Sequence, residues 1–275
     1  MSMNESVVKH RRKLNAEQLE VLELLYKFRF GSNDLIAQYF GKKDRSFVFK
    51  RLSILLEQGL IGKRFDPSFR LLGKPAAYYL TPAGARALQE QRDATKPIIN
   101  VKAIYKDKTV KDDFVRQCLD TFAVYNRLRV QYGDRLKFFT RANLNHESFD
   151  YFPQPLPDAY FRVRLGGDEK QYFLDFYYDN QLAIASVKKI KKYVEYAEGG
   201  TWDDTGTPLP VILAACESSG LQKQLQRRVA AGMDSSWNDE LIFATTTKAE
   251  LFKREPAIWR AATNPEATVP LQAIQ

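Results

Sequence analysis

Leu156-Pro-Asp-Ala-Tyr-Phe-Arg-Val163 and Tyr172-Phe-Leu-Asp-Phe-Tyr-Tyr-Asp179 are the runs whose reading decides the fold of the second part of the chain. Both are dense in aromatic and aliphatic side chains, as strands are, and Gly166-Gly-Asp168 between them is a hairpin signal. The pair predicts neighbouring strands at Ala159–Leu165 and Gln171–Tyr178. Each strand brings one acid, Asp158 and Asp175. A helix expected over about Leu182–Glu198 follows at once and carries Lys188, Lys189, Lys191 and Lys192.

Working outward, a long helix is expected from Val110, because Val115, Leu119, Phe122 and Tyr125 recur at helical spacing until Gln131-Tyr-Gly133. A β-like run at Leu136–Thr140 follows it. Beyond the lysine-rich helix come a strand (Leu209–Ala215), a helix (about Leu221–Ala231), a strand (Glu240–Thr245) and a helix around Ala249–Arg254. Residues 256–275 are expected to be a loose C-terminal tail, with no pattern after Ala262. The region 110–255 therefore reads as one α/β domain with a mixed sheet, in a chain that is α+β overall.

Toward the N-terminus the pattern changes to short helices. Asn15 with Gln18 three residues on is a capping-box signal, and Leu19, Leu22, Leu25 and Tyr26 give the apolar stripe. Gly31 breaks that helix and Ser32 caps a second, with Leu35, Ile36 and Tyr39. A third runs from about Arg45 to Gln58 and stops at Gly59. A strand begins at Leu60-Ile61, a polar loop covers Lys63–Ala76, and Ala77-Tyr-Tyr-Leu80 returns as its partner. Thr81-Pro-Ala-Gly84 caps a further helix to about Gln91. Residues 1–14 read as a basic arm, frayed or laid along a groove, 15–92 as one domain, and 93–109 as a linker.

The 275 residues carry a net charge of +9, with 44% apolar and 13% aromatic content, which excludes a largely disordered chain. The charge is unevenly placed. Residues 1–92 hold 17 Lys and Arg against 9 Asp and Glu, whereas residues 93–275 hold 25 against 24. A localised positive field is the footprint of a phosphate-binding module. The polar, basic start lacks the apolar core of a signal peptide, and the longest apolar run, near Val211–Cys216, is far too short to span a membrane. Two cysteines and two histidines make a zinc site or disulfide framework a poor fit. A soluble cytoplasmic protein without membrane attachment is expected. P-loop, GxGxxG, GxSxG and HExxH motifs do not occur.

The string Arg51-Leu-(x5)-Gln-Gly-Leu-Ile61, closed by Tyr79-Leu-Thr-Pro-Ala-Gly84, resembles the winged helix-turn-helix family. With its apolar face buried, the third helix turns Ser46, Phe47, Phe49 and Lys50 outward near its N-terminal end, where such a helix meets a major groove. Lys42, Lys43 and Arg45 flank them, and Arg51 is next along. Lys63, Arg64, Arg70 and Lys74 lie on or near the wing, suited to phosphate or minor-groove contact. The same charges would also suit a solvated face on a protein-docking module, and either phenylalanine could be core or a partner contact.

The order of helix, three strands with a hairpin, helix and strand, with Pro157-Asp158 and Asp175 after Phe173-Leu174, is similar to the PD-(D/E)XK nuclease-like fold. Taken whole, residues 15 to 255 resemble the replication-relaxation family of plasmid and mobile-element proteins. The supporting strings are Thr121-Phe-Ala-Val-Tyr-Asn126, Leu156-Pro-Asp-Ala159, Phe173-Leu-Asp175 and Lys188–Tyr196 before a Gly-Gly-x-Trp turn.

The resemblance implies a test of its own. In active members two carboxylates on adjacent strands hold Mg²⁺, which activates water, and a lysine two residues after the second acid supplies positive charge beside the phosphate. Tyr177 stands at that lysine's position and is neutral at pH 7. Asp158 and Asp175 are the candidate catalytic and metal-holding acids. Lys189 and Lys192 are the candidate replacement cations from the next helix, and Asp179 or Asp120 are further candidate ligands. Against this, Asp158 could simply satisfy a strand end, Asp175 could pair with a lysine of the next helix, and the lysines could form a solvated or DNA-facing surface.

The expectation is a DNA-binding accessory or regulatory protein of a plasmid or mobile element, with a nuclease-like domain that does not cut. Its partners would be double-stranded DNA and replication, mobilisation or other mobile-element proteins, with a homodimer left open. Binding would need no cofactor. The alternatives are a Mg²⁺-dependent endonuclease using Asp158 and Asp175, and a protein-interaction adaptor.

Overall fold

The capping box at Asn15 starts the first helix as its sequence requires. The Asn15 side chain accepts from the Gln18 N–H, and the Gln18 side chain accepts in return from the Asn15 N–H, at 2.9 and 3.0 Å. A computed structural model describes residues 14–65, 73, 75–92, 98–144, 149–180, 183–236, 241–253, 255–262 and 264–274 of the chain. The contacts divide it into two units, 1–119 and 120–275. The basic arm, residues 1–13, lies outside the described residues.

In the first unit, α1 (Ala16–Phe28) leads into β1 (Phe30–Gly31), α2 (Asn33–Tyr39), α3 (Ser46–Glu57), β2 (Ile61–Arg64), β3 (Ala77–Leu80) and α4 (Pro82–Gln91). Three antiparallel strands lie in the order β1-β3-β2. Gly59, at φ +68°, ends α3: its N–H reaches the Leu56 carbonyl and the Leu60 N–H reaches Leu55. Thr81 joins this turn to α4. Its hydroxyl donates to the Gly59 and Leu60 carbonyls and accepts from the Gly84 N–H. A side chain at Gly84 would run into the Leu60 carbonyl, so the glycine is what lets α4 approach that backbone.

The expected linker differs from the structure. The short helix α5 (Val101–Ile104) lies within it, and Ile99, Ile104 and Asp107 are buried. Arg29, itself in a positive-φ turn after α1, donates to both oxygens of Asp107 and to the Ala103 carbonyl. The Ile99 N–H donates to the Gln89 side chain and the Asn100 N–H to the Tyr26 hydroxyl. These are internal contacts of the first unit. Composition read the segment as a linker because its few apolar residues show no period, and single anchors leave no periodic signal.

The long helix α6 (Asp112–Tyr132) begins in the first unit and continues into the second. There follow β4 (Leu136–Thr140), α7 (Arg141–Leu144), β5 (Ala159–Leu165), β6 (Asp168–Tyr177), α8 (Ala183–Glu198), β7 (Val211–Cys216), α9 (Ser219–Ser236), β8 (Phe243–Thr247), α10 (Lys248–Leu251), β9 (Ala257–Ala261) and β10 (Asn264–Pro270). One seven-stranded mixed sheet holds them in the order β10-β9-β8-β7-β6-β5-β4. The β6–β7 and β7–β8 pairs are parallel and the rest antiparallel.

The two faces of β6 have separate duties. Phe173 and Tyr177 share a core with Ile190 and Tyr193 of α8 and with Leu225 and Val229 of α9. On the opposite face Leu174 and Phe161 line a cavity with Val124 and Leu128 of α6. Residues 256–275, expected to be loose, differ: β9 and β10 extend the sheet, with Ile258, Trp259 and Leu271 buried. The Tyr172 hydroxyl donates to the Leu271 carbonyl. This antiparallel edge pair is short and carries a bulge, so its alternation is broken in the sequence.

Candidate functional site

Register brings the two acids together. Asp158 immediately precedes β5, and its N–H donates to the Leu174 carbonyl and to Asp175 Oδ1, at 3.0 and 3.1 Å. The Phe176 N–H returns a 2.9 Å bond to Asp158 Oδ2. The carboxylates thus clamp neighbouring strands. Asp175 is wholly buried and the Asp158 side chain is 1% exposed.

Each acid has its own cation. Arg141, at the start of α7, donates to Asp158 Oδ1 at 2.6 Å and to the Leu156 carbonyl at 2.8 Å. Lys189 reaches from α8 to Asp175 Oδ1, and Tyr193, one turn later on the same helix, donates to Oδ2 at 2.7 Å. Burial is the strongest influence on Asp175 and raises its carboxyl above the ordinary value, with Lys189 pulling the other way and Asp158 adding to the rise. Tyr177 is buried, and among the described residues its hydroxyl has no hydrogen-bond partner.

Lys189 therefore meets the expected pairing of Asp175 with the next helix, but Lys192 does not join it. Lys192 is exposed and pairs with Glu195 at 2.6 Å. The alternative of a solvated or DNA-facing lysine surface does not extend to Lys189: it stands one turn before Tyr193, on the side of α8 that faces the sheet. Asp120 and Asp179 are engaged elsewhere. Asp120 accepts from Lys248 and Tyr178, and Asp179 accepts from Ser218. Arg141 and Tyr193 are the partners that sequence reasoning missed. Arg141 follows a β-like run with no distinguishing motif, and Tyr193 reads as one more aromatic on a helix's apolar face.

Mg²⁺ takes near-octahedral oxygen coordination and keeps several waters, so it needs carboxylate oxygens with free lone pairs. All four carboxylate oxygens already accept from protein donors, two of them cationic. Among the described residues no group of three or more His, Cys, Asp or Glu could hold a metal ion. This arrangement does not fit the ion.

The second candidate surface is α3 with its preceding turn. Asp44 accepts from both the N–H and the hydroxyl of Ser46, at 2.8 and 2.6 Å, and these bonds hold its carboxyl below the usual value. Lys42, Lys43, Arg45, Ser46, Phe49 and Lys50 are exposed. Phe49 is 54% and Ile54 42% exposed, so the outward stripe of this helix is partly apolar. Phe47 behaves differently from Phe49: the Lys42 ammonium and the Arg51 guanidinium lie over its ring. Arg51 also pairs with Glu17, Arg45 with Asp34 at 3.1 Å, and Arg64 with Asp112 at 2.6 Å. Lys63 is exposed beside Phe65. Arg70 and Lys74 lie outside the described residues.

No helix among the described residues is long and apolar enough to cross a membrane. No curated protein and no solved structure matches the chain at a significant level. The replication-relaxation family model matches residues 22–212, spanning both the α3 surface and the acid pair, and the chain belongs to the replication-relaxation family.

Proposed function

We propose that this protein is a DNA-binding accessory of replication, mobilisation or transcription in a plasmid or mobile element, with a first unit that docks on duplex DNA as a winged helix. The observation that carries the reading is the outward face of α3. Ser46, Phe49 and Lys50 lie beside Lys42, Lys43 and Arg45 in a region with a surplus of eight positive charges. Membership of the replication-relaxation family supports a replication-related role. Phosphate contacts from the lysines would set affinity, while Ser46 and Phe49 are the groups able to meet base edges. In this reading the second unit keeps a nuclease-like frame and does not cut. Arg141 and Lys189 already neutralise the acids, and both carboxylates are out of solvent.

A salt titration of duplex binding tests it. Affinity should fall steeply with salt, and insensitivity to salt would remove the phosphate-driven interface. The endonuclease reading has one observation in its favour, the presence of a lysine from the next helix on Asp175. Incubating supercoiled plasmid with the protein and Mg²⁺ or Mn²⁺ separates the two. Nicking that is lost in Asp158→Ala would establish the endonuclease instead.

A further inference from the structure

The second unit carries an uneven charge that the acid pair leaves unexplained. Residues 120–275 hold 19 Lys and Arg against 20 Asp and Glu, close to neutral. Yet α8 and α9 together hold 7 basic residues against 3 acidic, with only Lys189 of the seven turned inward onto Asp175, so the rest of the unit holds 12 against 17. A positive field confined to two helices of an otherwise acidic unit is not explained by general solubility.

Topology gathers those charges. α8 connects β6 to β7 and α9 connects β7 to β8, and both strand pairs are parallel. The two helices therefore run in the same direction and start at the same end of the sheet. Both bury their apolar sides in one core, Ile190 and Tyr193 from α8, Leu225 and Val229 from α9, so their outer sides share one face of the unit. On that face Lys188, Lys191, Lys192, Lys223 and Arg227 are exposed. At about 1.5 Å per residue, Lys188 and Lys191 stand roughly 8 and 12 Å along α8, and Lys223 and Arg227 roughly 6 and 12 Å along α9. The cations thus stand within the first three turns of both helices. Glu195 and Glu198 lie further along α8, and the exposed Lys192–Glu195 pair is of the kind that holds its partners only weakly.

We propose that the outer faces of α8 and α9 form a second phosphate-binding surface that takes a nucleic-acid backbone. The geometry favours this ligand over a single small anion, because the charges are spread over two helices and do not converge on one point. It extends the duplex-binding reading to the second unit, and it has its own residues.

The test uses the full chain and a long mixed-sequence DNA duplex. In one variant Lys188, Lys191, Lys223 and Arg227 are changed to Gln. In another Lys42, Lys43 and Lys50 are changed to Gln. The first variant should lower the slope of log affinity against log salt by about 2–4, since each lost phosphate contact removes about 0.9. Its thermal unfolding should not move, because the four side chains are exposed. A version with Arg at the three lysine positions should keep the parental slope. An unchanged slope and affinity in the Gln variant overturns the proposal, whatever the α3 variant does. If only the α3 variant is unaffected, the winged-helix reading fails and this one stands. Loss of binding to phosphatidylserine vesicles, with duplex affinity unchanged, would assign the face to a lipid surface and also overturn it.

Discussion

Lys189 of α8 closes an ion pair on Asp175 of β6 at a point where the carboxylate is wholly buried. The pair ties α8 to β6 inside the second unit. Removing one partner of a buried pair leaves a charge without compensation and costs roughly 3–5 kcal/mol. Lys189→Met should therefore lower stability by about that amount in urea unfolding. Adding Asp175→Asn should recover part of the loss, because the charge left behind is then gone. If the two changes prove additive, the pair is not coupled.

Asp175 also predicts a pH dependence. Burial outweighs Lys189 and Tyr193 and raises its carboxyl above the ordinary value of 3.8. The folded state then keeps a proton that the unfolded chain has released, so this group's contribution to stability falls as pH rises from 3.8 to the raised value. Asp175→Asn should remove that fall. Stability measured across the acidic range would show a flatter profile in the variant, and parallel profiles would contradict the argument.

Tyr177 stands two residues after Asp175, and among the described residues its buried hydroxyl has no hydrogen-bond partner. A buried polar group left unsatisfied costs about 1–3 kcal/mol, so Tyr177→Phe should be neutral or stabilise by about 1 kcal/mol. A clear loss of stability in chemical denaturation would mean that the hydroxyl bonds to something, such as a fixed water.

Neighbouring residues on α3 should separate binding from folding. Lys50 is exposed, so Lys50→Ala should leave the melting temperature unchanged while lowering the salt slope of duplex binding by about 0.9. Arg51 pairs with Glu17, stacks on Phe47 and donates to the Phe47 carbonyl. Arg51→Ala should therefore lower the melting temperature. Equal behaviour of the two variants in both measurements would remove this division of roles.

Much of the fold was legible in the chain because local signals are self-contained. The capping box at Asn15, the cap at Ser32, the stop at Gly59 and the Thr81-to-Gly84 turn each lie within a few residues of what they control. The hairpin at Gly166 and the strands beside it were readable for the same reason, and they put Asp158 and Asp175 on neighbouring strands. Less legible were β1, too short to show a period, and the edge strands β9 and β10, whose bulged pairing interrupts alternation.

The sequence by itself determined that two acids belong to neighbouring strands and that a tyrosine stands two residues after the second. Only the tertiary structure decided which cations meet them. Arg141 and Asp158 are separated by 17 residues, and Lys189 and Asp175 by 14, with no motif linking either pair. Which of four similar lysines turns inward depends on how α8 is rotated against the sheet, and that rotation is set by packing of Ile190 and Tyr193 into a shared core. Local patterns specify elements. The pairing of charges between elements is chosen by burial, because a carboxylate withdrawn from water must find its counter-charge wherever packing places one.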